Sequence, residues 1–213
     1  MVKVGSIEIG IVWASDGIQK YEKFDELNIS YYLIPQHPLP ARKGNKYSYR
    51  IFNRIWRHLN RLLNLVKRHK YSDELRHCVQ AVNDFKPDLV HVWGTENFYG
   101  LIGNQIDVPV LIKFQGLVSV IKNDVWGDVK WWRRFLMPNE ALYQLDITKR
   151  SINEIKIIKQ NKYFEGRTLW DYSHLREHNV SALYYDIPEI MRPSFYESRW
   201  SIDGIKRHSV YMT

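Results

Sequence analysis

Three short stretches of this sequence carry residue types able to hold a polar ligand. The first lies in FKPDLVHVWGTENFYG (85–100), where Gly94-Thr95-Glu96 ends a strand-like run. Backbone amides at the start of a helix, a Thr95 hydroxyl and a Glu96 carboxylate there could hydrogen-bond a polyhydroxylated or anionic ligand. The bland alternative makes Thr95 a helix N-cap, Glu96 a favourable charge on the helix dipole and His91 a satisfied core histidine. The second stretch is Phe114-Gln115-Gly116, where Gln115 can both donate to and accept from hydroxyls, though a plain turn would also use a glycine. The third is Gly166-Arg167-Thr168 with Trp170-Asp171: Arg167 could face a phosphate, with Thr168 as a cap, or Arg167 and Asp171 could form an i,i+4 ion pair.

Chemistry at such turns needs elements that bring them to one place, and the hydrophobic pattern supplies candidates. Ile7–Trp13 and Ile29–Ile34 read as short strands, followed by a proline-rich breaker over 35–44. Tyr47–Lys70 has Ile51, Ile55, Leu59, Leu62, Leu63 and Val66 at helical spacing. Ser72 reads as the N-cap of a helix to about Phe85, with Asp73 and Glu74 in its first turn. Strands at Asp88–Trp93 and Val110–Phe114 then alternate with a helix from about Thr95, which points to parallel βαβ units. A tryptophan-rich connection (Trp126, Trp131, Trp132) leads to a long helix over Asn139–Asn161 with Leu142, Leu145, Ile152, Ile155 and Ile158 on its apolar face. A strand at Tyr163–Glu165, a helix from Thr168 to about Glu177 and a strand at Ala182–Tyr185 follow. The expected fold is α/β: a Rossmann-like, mostly parallel sheet with helices on both faces. In such sheets ligands bind outside the carboxyl ends of the strands, where all three stretches fall.

Composition narrows the class. The chain has 213 residues, 45% hydrophobic and 25% charged, ordinary values for a globular domain with a sizeable core. No run approaches the ~18 apolar residues of a membrane span, and the N-terminus lacks the regions of a signal peptide, so a cytoplasmic location is expected. One cysteine, Cys78, excludes a disulfide framework and any CxxC metal or redox site, and no motif calls for a metal.

The net charge of +8 is not spread evenly. Ten basic and no acidic residues lie between Arg42 and Lys70, and the remaining chain is close to neutral. On the amphipathic helix in this segment, Arg50, Arg54, Arg57 and Arg61 oppose the apolar face. Three readings fit: a solvated surface helix, a nucleic-acid site, or attachment to an anionic membrane leaflet, where each basic residue contributes about 1 kcal/mol. No helix-turn-helix, RRM or zinc-finger pattern accompanies the charge, so nucleic acid is the least expected partner and an anionic membrane surface the preferred one.

VHVWGTE at 90–96, FQGL at 114–117, EGRTLWD at 165–171 and YYDIPEIMRPSFYESRW at 184–200 resemble, in this order, the N-terminal half of family 4 glycosyltransferases, most of all bacterial members that build capsules and other surface polysaccharides. The resemblance spans about residues 85–213. It implies a GT-B enzyme of two Rossmann-like domains, retaining the anomeric configuration, whose N-terminal domain binds the acceptor and whose C-terminal domain binds a nucleotide-sugar. On this reading residues 1–205 are the acceptor-side domain and 206–213 the start of the donor-binding domain. The tail His208–Met212 is then a strand that opens that second domain and lies away from the main sheet.

The same resemblance implies cleft-lining roles for Gly94, Thr95, Glu96, Gln115, Gly116, Arg167, Thr168 and Asp171. Many family members carry histidine at the position of Gln115; glutamine cannot act as an acid or base near pH 7, so a binding role alone is expected. The family's E-x7-E carboxylates belong to the other domain, which leaves the catalytic residues of the whole enzyme unassigned. Its Gly-rich loop after the first strand is not found, and removal of the first strand, loop and helix is the expected reason. The chain by itself is expected to bind no cofactor and turn nothing over; the whole enzyme would take a nucleotide-sugar donor and a glycan or lipid-linked acceptor. A binding module for nucleic acid or anionic surfaces, and a sugar-nucleotide epimerase of GT-B architecture, are the competing classes.

Overall fold

The computed structural model describes residues 7–15, 18, 20–35, 71–124 and 138–188, together with Pro193 and Glu197. The basic segment at 41–70, with Arg50, Arg54, Arg57 and Arg61, lies outside them, as do Trp126, Trp131, Trp132 and the tail at 206–213. The elements run β1 (Ile9–Ser15), β2 (Glu22–Glu26), β3 (Ile29–Pro35), α1 (Ser72–Phe85), β4 (Val90–Trp93), a 3-10 helix (Tyr99–Asn104), β5 (Val110–Lys113), α2 (Val118–Asp124), α3 (Pro138–Gln160), β6 (Tyr163–Gly166), α4 (Leu169–His178) and β7 (Leu183–Asp186). The fold is α/β and Rossmann-like: β4-β5-β6-β7 form an all-parallel sheet flanked by helices. A second group, ordered β1-β3-β2, pairs β1 with β3 in parallel and β2 with β3 antiparallel.

Register puts alternate residues of the parallel sheet into two rows. Val92, Ile112, Phe164 and Tyr184 pair in one row; Trp93, Lys113, Glu165 and Tyr185 pair in the next. Since side chains alternate across a sheet, the two rows face opposite ways. Val92, Ile112 and Phe164 form the core, in one cluster with Leu75, Cys78 and Val82 of α1, Ile157 and Ile158 of α3, and Leu175 of α4. Phe114 and Phe164 stack at 5.5 Å within it. Burial pushes the Cys78 thiol up to about 12, with Glu74 adding to the effect, so the one cysteine is an inert core residue. Among the described residues, no helix is long and apolar enough to cross a membrane.

Several elements depart from the sequence pattern. Strand β2 was not expected: four of its five residues are charged, and every one is exposed. Charged side chains suit the edge of a sheet, where they oppose pairing with a second chain, and they erase the apolar alternation that marks a strand. The turn to β3 puts Leu27 (φ 52°) and Asn28 (φ 63°) in the left-handed region that a two-residue hairpin demands. The N-cap position of α1 is Tyr71 rather than Ser72, which is its first helical residue.

The helix expected from Thr95 is instead a run of bends leading to the 3-10 helix. Gly100 and Gly103 explain this: a Cβ on Gly100 would lie 2.6 Å from Ile157 Cγ2, and one on Gly103 would lie 1.9 Å from Asn161 Oδ1. The segment is pressed against the end of α3, and Asn161 Nδ2 donates to the Gly100 carbonyl at 3.0 Å. Two glycines in four residues also disfavour an α-helix.

Helix α3 turns a different face inward from the one its aliphatic residues suggest. Leu145 and Ile152 are more than half exposed, while Ile147, Ser151, Glu154, Ile157 and Ile158 are buried. A serine and a glutamate therefore sit in the middle of the buried stripe.

Candidate functional site

The carboxyl ends of the parallel strands stay hydrogen-bonded just past the sheet. Gly94 N donates to Lys113 O at 3.0 Å, Phe114 N to Glu165 O at 2.8 Å and Ile187 N to Gly166 O at 3.1 Å. These bonds set the turns at Gly94–Glu96, Gln115–Gly116 and Arg167–Thr168 side by side along one edge. The three stretches chosen from sequence are thus brought together.

Gly94 sits at φ +93°, and a Cβ on it would lie 2.0 Å from Glu96 Oε2. The Glu96 side chain therefore folds back over its own turn, and its Oε1 lies 3.5 Å from the point where a Gly116 Cβ would be. Glu96 thus spans the first two turns. Arg150 Nε donates to the Glu96 carbonyl at 2.8 Å and pins the backbone. Burial raises the Glu96 carboxyl above its ordinary range, more than its own backbone amide and Arg150 lower it. A partly shielded carboxylate of this kind is suited to accept hydrogen bonds from hydroxyls. Gly94→Ala is expected to cost about 1–3 kcal/mol through backbone strain and displacement of Glu96. Urea denaturation of Gly94→Ala and of Gly94→Ala/Glu96→Ala checks this: the double variant relieves the clash and keeps the backbone strain.

Thr95 does not have the role the sequence suggested. Its side chain is fully buried, and its hydroxyl lies 3.1 Å from Glu154 Oε2 and 3.2 Å from the Gly116 carbonyl. It ties the first turn to the second from beneath and presents nothing to a ligand. The amides that open α2 are likewise taken: Val118 N donates to Glu154 Oε2 at 2.9 Å and Ser119 N to Glu154 Oε1 at 3.0 Å. The Ser119 hydroxyl donates to Oε1 as well, and His174 Nε2 lies 3.0 Å from that hydroxyl. Burial works to raise the Glu154 carboxyl, but His174, Ser119 and the Val118 amide outweigh it and hold the pKa below the ordinary value.

In the third turn Thr168 is the N-cap of α4. Its hydroxyl accepts from Asp171 N at 3.1 Å, and Asp171 Oδ2 accepts from the Arg167 and Thr168 amides at 3.2 Å. This is a capping box, so Thr168 and Asp171 shape the turn. Gln115 and Arg167 are exposed at the edge, and Glu96 is half-buried on the first turn, beside Gly116.

Beside this edge lies a cluster that periodicity did not single out. On the sheet face opposite the core, His91 Nε2 and Lys113 Nζ each lie 3.2 Å from Glu165 Oε1. Trp93 Nε1 donates to His91 Nδ1 at 3.2 Å, and the Lys113 ammonium sits 5.0 Å from the Trp93 ring centroid. With Nδ1 accepting, the imidazole donates through Nε2 to Glu165. His91 is therefore an exposed member of a polar chain and not a core histidine. Lys113 and Glu165 are buried, while Trp93 is 63% exposed. The same sheet carries an apolar groove of about 390 Å³ lined by Leu89, Pro109, Leu111, Tyr163, Tyr185 and Ile187. The usable signal was register: Lys113 and Glu165 pair on adjacent strands, each two residues before its turn.

No family model matches the sequence, and no curated protein matches it.

Proposed function

We propose that this chain is the acceptor-side domain of a retaining GT-B glycosyltransferase that moves a sugar from a nucleotide donor to a glycan, with a lipid-linked saccharide as acceptor. The observation that carries the reading is the common edge of the parallel sheet, where Glu96, Gln115 and Arg167 gather on three adjacent turns. Parallel α/β sheets bind ligands at that edge. A half-buried carboxylate, an amide and a guanidinium make a hydroxyl- and phosphate-binding set, and the Trp93 ring adds a flat apolar surface. The motifs at 90–96, 114–117 and 165–171, which resemble family 4 glycosyltransferases, supply the turns themselves.

On this reading the donor and the catalytic carboxylates belong to a second domain, and this domain positions the acceptor and excludes water. The ten basic residues at 42–70 would hold it against an anionic leaflet, where a lipid-linked acceptor is found. In a thermal-shift assay, a polyprenyl-diphosphate saccharide raises the melting temperature of the chain, and Gln115→Ala and Arg167→Ala each remove the rise. No nucleotide is released from a nucleotide-sugar. Turnover by the chain alone, or salt-sensitive binding of random oligonucleotides with no response to the saccharide, would overturn the reading. The membrane arm has its own readout: sedimentation with anionic but not neutral liposomes, abolished when Arg50, Arg54, Arg57 and Arg61 become glutamate.

A further inference from the structure

We propose that His174, Glu177 and His178 on α4 bind a divalent transition-metal ion, with Zn2+ the best match to the donor set. The spacing i, i+3, i+4 puts all three side chains on one helical face. One ligand atom from each lies within 4.8 Å of the other two. The two imidazole centroids are 4.8 Å apart with the rings edge to face, and His174 Nδ1 lies 3.9 Å from Glu177 Oε2. Zinc bonds of about 2.0–2.2 Å in a tetrahedral site need donor separations of roughly 3.4 Å. The gap closes by rotation of Glu177, which is exposed, and His178, which is half-buried.

The hydrogen bonds around His174 say which of its nitrogens is available. Glu154 accepts the Ser119 hydroxyl proton, so Ser119 Oγ has only a lone pair left for His174 Nε2, 3.0 Å away. Nε2 therefore carries the ring proton, and in the neutral imidazole Nδ1 has a bare lone pair. That lone pair faces the Glu177 carboxylate. Two acceptors facing each other call for a cation between them. A metal-binding histidine characteristically donates its other nitrogen to a carboxylate or a relay to one, and Nε2–Ser119–Glu154 is such a relay. The last turn of a helix favours positive charge, and the Glu177 and Glu154 carboxylates lie 3.9 and 3.8 Å from the two His174 nitrogens. Two imidazoles and one carboxylate with an open position form a zinc-type set, and a bound ion would pin α4 to α2 and α3 through Ser119 and Glu154.

The competing occupant is a proton on Nδ1, making a plain His174–Glu177 ion pair, and calorimetric titration of the metal-free chain with Zn2+ separates the two. One ion per chain is expected at the tightest site, with Co2+ giving visible d–d absorption at the same stoichiometry. Glu177→Gln and His178→Ala, which alter side chains outside the core, each weaken binding at least tenfold. Ser119→Ala weakens it about 10–100-fold as an outer-shell change, with circular dichroism checking that the fold persists. His77→Ala and His91→Ala leave it unchanged. Absence of binding, or binding indifferent to Glu177→Gln and His178→Ala, would refute the site.

Discussion

Glu154→Ala is expected to destabilise the chain by about 3–5 kcal/mol, the scale on which a buried charged network fails when one partner is removed. Glu154 is fully buried, and its two oxygens accept from the Val118 amide, the Ser119 amide and hydroxyl, and lie within reach of the Thr95 hydroxyl. Alanine leaves these donors facing a void, and each unsatisfied buried group costs about 1–3 kcal/mol. Against a typical stability of about 5–15 kcal/mol, the loss is a large fraction of the whole. Glu154→Gln tests the charge separately. Both carboxylate oxygens accept from amides, so a glutamine must turn its NH2 toward a donor, and it too is expected to destabilise.

The same carboxylate fixes the sign of an acid effect. Its folded pKa lies below the ordinary value, so its contribution is fully present above the unfolded pKa of about 4.3. That contribution is lost as pH falls through the lower, folded pKa. The stability gap between wild type and Glu154→Gln, from urea titrations at a series of pH values, should therefore be constant near neutrality and narrow only in acid. A gap that narrows between pH 8 and 6 would mean that another group, and not Glu154, carries the effect.

The parts of this architecture legible in sequence are those in which each residue reports its own surroundings. Strands β4 and β5 are short apolar runs bounded by proline or glycine, and the expected Asp88–Trp93 and Val110–Phe114 overlap them closely. Helix α1 ends where expected because Lys86 takes the left-handed cap conformation and Pro87 follows. Legibility fails where a residue's role is set by a partner far along the chain. Glu154 looks like a solvent-facing charge by local pattern, yet it fills the start of α2, 36 residues earlier. Thr95 looks like a cap because the glycines that forbid a helix act through Ile157 and Asn161. The edge carrying Glu96, Gln115 and Arg167 was visible for the opposite reason: strand ends and turn residues are local signals, and the parallel sheet aligns them.

Glu165→Ala carries the second large effect, again about 3–5 kcal/mol, and its partner makes the argument sharper. The side chains of Lys113 and Glu165 are 7% and 4% exposed, so losing the carboxylate strands an ammonium in the interior beside the Trp93 ring. Removing both charges is a different experiment: Lys113→Met/Glu165→Leu leaves no orphaned charge, and apolar replacement of a buried pair is often neutral or stabilising by about 1–4 kcal/mol. The double variant is therefore expected to be at least as stable as wild type in urea, while Glu165→Ala alone is not. If Glu165→Ala cost less than about 1 kcal/mol, the pair would be behaving as a solvated surface contact. A pair whose removal leaves stability intact is not held in the sheet for stability. Its position, two residues before Gln115 and Arg167 on adjacent strands, makes saccharide binding the property the double variant should lose, because His91 and Trp93 are oriented through Glu165.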